Sequence, residues 1–119
     1  MNKTQLRIFK QRARNCNASA KRYGWPAIPI ESFLARYGEP PWLCPYCLQK
    51  FTTSKISFDH VVPLSREGEH SLSNIWGVCR RCNLYKRALS VEDWMALLKA
   101  LDKAGYVKLF FANYVPRRY

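Results

Sequence analysis

The sequence predicts an α+β fold: a small strand–loop–strand–helix core stapled by a metal site and flanked by helices. Two observations carry that prediction. Cys44-Pro45-Tyr46-Cys47 and Cys79-Arg80-Arg81-Cys82 are C-x2-C pairs with 31 residues between them, and two such turns facing each other supply the four thiolates of a closed, structural zinc site. Between and after the pairs the pattern changes from helical to alternating and back. Residues 55–62 alternate and are β-rich, Ile75-Trp76-Gly77-Val78 reads as a short second strand, and residues 80–89 suit a helix. At 119 residues the chain is expected to form one domain, small enough for a structural metal to matter to its stability.

The flanks are helical in pattern. Residues 1–22 hold seven basic and no acidic side chains, with Leu6, Phe9, Ala13 and Cys16 at helical spacing, so a basic amphipathic helix is expected with Cys16 buried as a small hydrophobe. Gly24-Trp25-Pro26 breaks it, a short helix over Ile30–Tyr37 follows, and Gly38 stops that one. After the core, Ser90-Val91-Glu92-Asp93 resembles a capping box opening a helix with Val91, Trp94, Leu98 and Leu101 on one face and Gly105 at its end. The organisation expected is a basic helical extension over 1–43, a metal-bracketed core over 44–89, and a C-terminal helix with a basic aromatic tail over 90–119.

Twenty Lys and Arg against eight Asp and Glu give a formal charge of +12, which favours a polyanionic partner, nucleic acid first. No apolar run of spanning length and no signal peptide stand in the sequence, so the expectation is no membrane and a cytoplasmic setting, in a bacterial host or phage-infected cell. Five cysteines, four of them in local pairs, argue against a secreted disulfide framework.

The polar residues with catalytic potential in and beside the insert are Asp59, His60, His70, Asn74 and Asn83. The order Cys44-x2-Cys47, Asp59-His60-Val61-Val62-Pro63-Leu64, Asn74-Ile75 and Cys79-x2-Cys82-Asn83-x2-Lys86 resembles the HNH endonuclease family, with its ββα-metal fold, over about residues 44 to 89. The resemblance implies that His60 is the general base, that Asn74 fixes the catalytic loop, and that Asp59 and Asn83 are ligands of a divalent ion. The third motif position is Asn rather than the eponymous His. It also implies cleavage to a 5′ phosphate and a 3′ hydroxyl.

Phosphodiester hydrolysis asks for the same residue types. Asp59 and Asn83 offer hard oxygen ligands suited to Mg²⁺ or Mn²⁺, and a neutral imidazole at His60 can take a proton from water. Its other nitrogen needs a partner, for which Asn74 or a loop carbonyl is expected. His70 reads as a loop histidine without a catalytic part, a phosphate contact being the alternative. Arg80, Lys86 and Arg87 are the expected DNA contacts. The function expected is metal-dependent cleavage of double-stranded DNA by a monomer or dimer, in a phage or mobile-element setting. A zinc-stabilised nucleic-acid-binding module without activity is the alternative.

Overall fold

The computed structural model describes residues 1–103. Gly105 and the aromatic tail over 106–119 lie outside the described residues. Helix α1 runs over Lys3–Lys21 and starts on a reciprocal cap: Gln5 N donates to Asn2 Oδ1 at 2.8 Å and Asn2 N donates to Gln5 Oε1 at 2.9 Å. Its buried positions, Phe9, Ala13, Cys16 and Ala20, recur every three or four residues along one face. Helix α2, Ile30–Tyr37, coincides with the range expected from sequence and gives way to Gly38, whose φ of 60° is left-handed.

Strands β1 (Trp42–Leu43) and β2 (Lys50–Phe51) pair antiparallel around the first cysteine turn, which forms the metal-binding knuckle its C-x2-C spacing predicts; the two short strands are not expected from sequence. Strands β3 (Ile56–His60) and β4 (Ile75–Cys79) form a second antiparallel pair in which Asp59 opposes Trp76 and His60 opposes Ile75. Helix α3 (Arg80–Lys86) continues directly from β4 and is shorter than expected, because Arg87 adopts a φ of 50° and its N–H closes on the Asn83 carbonyl at 3.2 Å. Helix α4, Val91–Lys103, opens with Ser90 Oγ accepting the Asp93 amide at 3.1 Å and buries Trp94 and Leu98.

Consecutive side chains of a strand point to opposite faces, and β3 puts that rule to use. Phe58 and His60 face α1 and α2: the Phe58 ring lies 5.4 Å from Phe9, 4.9 Å from Phe33 and 5.2 Å from Tyr37. Ser57 and Asp59 face α3, where they meet Asn83 and Lys86. Opposite Phe58, Gly77 lets the Tyr37 ring lie against β4, since an added Cβ would come within 2.9 Å of that ring. Tyr37 also donates its hydroxyl proton to the Ile75 carbonyl at 3.0 Å. The basic helix expected as an extension is therefore packed over the strand that carries the catalytic candidates. Among the described residues no helix is long and apolar enough to cross a membrane.

Candidate active site and metal centre

The first cysteine pair sits in the turn between β1 and β2, where Cys44 N–H donates to the Gln49 carbonyl and Leu48 N–H to the Cys44 carbonyl, both at 2.9 Å. The second pair brackets the β4–α3 junction: Cys79 ends the strand and Cys82 lies on the helix. All four are free thiols, and their sulfurs lie within 4.8 Å of one another. Cys47 and Cys79 are 3.8 Å apart, and a tetrahedron built on zinc–sulfur bonds of about 2.3 Å has edges of about 3.8 Å. The donors therefore fit a zinc ion. Sulfurs this crowded cannot all ionise without a cation: thiol donors from Cys47, Cys79 and Cys82 hold Cys44 well below the ordinary range, and neighbouring Cys44, Cys47 and Cys79 push Cys82 well above it.

Asp59 is buried, with 5% of its surface exposed. Tyr46, from the knuckle, donates its hydroxyl to Asp59 Oδ2 at 2.6 Å, and the Lys86 ammonium lies 3.3 Å from each carboxylate oxygen. Burial raises the carboxyl's pKa, opposed by the Tyr46 hydrogen bond and the Lys86 charge. The structure corrects the expectation for Lys86 as a DNA contact. Its side chain is wholly buried and its charge is spent on Asp59. The sequence held a signal for this, because Lys86 follows Cys82 by four residues and so shares its inward face.

His60 meets an unexpected partner. Its Nε2 lies 2.9 Å from Nδ1 of His70, and His70 Nε2 lies 2.7 Å from Oδ1 of Asn17 on α1. Asn17 is held by both ends: its Nδ2 donates to the Ile28 carbonyl and its Oδ1 accepts the Ile28 amide, each at 2.9 Å. Its oxygen can only accept, so His70 carries its proton on Nε2 and presents a bare Nδ1. His60 must then donate from Nε2, leaving its own Nδ1 as the basic nitrogen. Burial, with the nearby His70 and Lys86 charges, lowers the His60 pKa to about 4, and burial lowers that of His70 as well. Both rings are therefore neutral at pH 7.

The residue facing the second nitrogen of His60 is thus His70, not Asn74. His70 is buried at 6% exposure rather than a free loop side chain. It comes inward because the loop doubles back at Gly68, where an added Cβ would collide with the Val62 carbonyl. No local sequence pattern announced the contact. Asn74 acts on the backbone instead: its Oδ1 accepts from Val62 N–H at 2.9 Å, and its Nδ2 donates to the Val62 and Glu69 carbonyls at 3.0 and 2.8 Å.

Asn83 Nδ2 donates to Ser57 Oγ at 2.6 Å. Asp59, His60 and Asn83 line one open groove of about 590 Å³ together with Arg22, Ser65 and Arg87. A neighbouring cavity is lined by His60, Asn83, Cys16, Arg12, Arg22 and Arg80. Of the three expected DNA contacts, Arg80 and Arg87 border these spaces and Lys86 does not. Arg12 of α1 and Arg22, which caps its C-terminus, join them.

A hairpin of two strands running into a helix, pinned at its ends by four cysteines, defines an α+β metal-site core. Residues 44–92 match the family model described as HNH endonuclease, and the four clustered cysteines are consistent with a zinc-bracketed form of that domain. The match implies a nuclease-like function and suggests nucleic-acid binding. No curated protein matches the chain.

Two outcomes follow from this geometry. Removing metal with a strong chelator, or substituting Cys79→Ser, is expected to lower Tm by more than about 10 °C, since each kcal/mol moves a domain of this size by about 4–8 °C; an unchanged melt after verified metal removal would refute the staple. Long-range proton–nitrogen NMR, uncrowded with two histidines in the chain, is expected to show both rings protonated at Nε2. A proton on Nδ1 of His60 would contradict the assigned chain of hydrogen bonds.

Proposed function

We propose that the chain is a metal-dependent DNA endonuclease that hydrolyses phosphodiester bonds. The observation that carries this reading is the convergence of Asp59, His60 and Asn83 on one groove bordered by Arg22 and Arg87. His60 accepts a proton from water at Nδ1, and the Nε2–H bond to His70 holds that nitrogen as the acceptor. The activated water attacks phosphorus opposite the 3′ oxygen, whose bond to phosphorus breaks, leaving a 5′ phosphate and a 3′ hydroxyl. Arginines along the groove meet the phosphates, and Asn74 keeps the loop after β3 closed on itself.

The donor set fits a hard divalent ion. Asp59 keeps lone pairs beyond those taken by Tyr46 and Lys86, and Asn83 uses its amide nitrogen on Ser57, leaving its carbonyl oxygen unused by that bond. Asp59 and Asn83 would hold Mg²⁺ or Mn²⁺, with water and phosphate oxygens completing the shell. When bound, such an ion supplies positive charge against the phosphoryl and leaving oxygens. The four cysteines would hold a structural zinc.

One observation favours a second reading, an inactive zinc-stabilised module that binds nucleic acid. The Lys86 ammonium already neutralises Asp59 from 3.3 Å, on the carboxylate a divalent ion would share. Supercoiled plasmid separates the two. Open circles are expected with Mg²⁺ or Mn²⁺ and none with EDTA, because one active site cuts one strand. His60→Ala is expected to slow nicking by about 10²–10⁴-fold while keeping the fold and DNA affinity. Nicking of equal rate in His60→Ala would overturn the role of His60, and no nicking with either ion would favour the binding module.

A further inference from the structure

We propose that Cys16, His60 and His70 form a second metal site, selective for a thiophilic divalent ion of the zinc type and distinct from the four-cysteine cluster. The three ligands come from separate elements: α1, the end of β3 and the loop that Gly68 folds back. Their donor atoms lie within 4.8 Å of one another. Cys16 Sγ is 3.9 Å from His60 Nε2, and that nitrogen is 2.9 Å from His70 Nδ1. Zinc bonds of about 2.3 Å to sulfur and about 2.05 Å to nitrogen put tetrahedral ligands about 3.6 and 3.4 Å apart. Small side-chain rotations reconcile the two sets.

The surroundings are those of a metal ligand shell. His70 Nε2 donates to Asn17 Oδ1, whose orientation the Ile28 backbone fixes, so His70 Nδ1 stands bare toward the site; this outer hydrogen bond is what orients ligating histidines. Cys16, which lies outside the four-cysteine set, is buried on the helix face over β3. With three protein ligands the fourth position stays open, and Cys16 and His60 border a cavity also lined by Arg12, Arg22 and Arg80. Water or an anion completes the tetrahedron there.

The proton balance gives the site a consequence that rests on the nuclease reading. On binding, the Cys16 thiol gives its proton to solvent, and the His60 ring changes tautomer: Nε2 loses its proton to solvent, freeing the lone pair that the ion takes, and Nδ1 takes one up. The neutral ring then carries its hydrogen on Nδ1, the nitrogen that would otherwise take a proton from water. Zinc in this site switches the base off, and it does so without touching Asp59 or Asn83.

Cobalt tests the site without reference to activity. Protein carrying one equivalent of zinc in the four-cysteine cluster is titrated with Co²⁺ and followed by visible and near-ultraviolet absorption. One further equivalent is expected, with tetrahedral ligand-field bands and a sulfur-to-cobalt charge-transfer band. Cys16→Ser is expected to lose the charge-transfer band, and His70→Asn to weaken binding at least tenfold, both with melting curves showing a folded protein. Should Cys16→Ser fail to fold, His70→Asn carries the test. No uptake of cobalt, or unaltered spectra and affinity in the folded variants, as exchange into the four-cysteine cluster would give, overturns the proposal.

Discussion

The four-sulfur contact between the knuckle and the β4–α3 junction is the constraint on which the rest of the molecule depends. Cys79 and Cys82 belong to the segment that carries Asn83, and β4 sets β3 by a register that places His60 opposite Ile75. Tying those sulfurs to Cys44 and Cys47 therefore positions groups the cluster never touches. Tyr46, inside the first C-x2-C turn, extends the same tie to the Asp59 carboxylate. In a chain this small, a cross-link of this kind replaces much of the core that a larger domain would use.

Strand β3 divides the chemistry between two faces. On one, Asp59 is neutralised by a wholly buried lysine and a tyrosine hydroxyl, an arrangement in which stranding either charge costs about 3–5 kcal/mol. On the other, His60 enters a neutral chain of hydrogen bonds ending at the backbone of Ile28. The faces meet at the strand's end, where Asp59 and His60 border the same groove. Helix α1 is thus part of the site's construction. It provides the Phe9 contact to Phe58, the Asn17 acceptor and Arg12 at the rim of the neighbouring cavity, with Arg22 at its C-cap bordering both spaces.

Much of this was legible in the sequence because the signals were local. The C-x2-C spacing, the alternation over β3, the short β4 run and the Pro–Gly limits of α2 each act within a few residues, and those elements lie where the patterns put them. Lys86 shares the inward face of Cys82, four residues before it, but in a helix of seven residues that single repeat does not outweigh the usual exposure of a lysine. The role of His70 is not legible locally because its partners are distant in the chain: His60 is 10 residues away and Asn17 is 53. Loop closure at Gly68 creates that contact, and nothing in the loop's composition encodes it. The β1–β2 pair leaves no signal in the sequence because two-residue strands carry no alternation.

The sulfur cluster can be observed directly. X-ray absorption at the zinc edge, on protein carrying a single equivalent of zinc, reports the atoms bound to the ion. The expected shell is four sulfurs at about 2.3 Å and no lighter atom. A shell containing nitrogen would place the ion at the histidines instead and contradict the dependence of the fold on the four-cysteine tie.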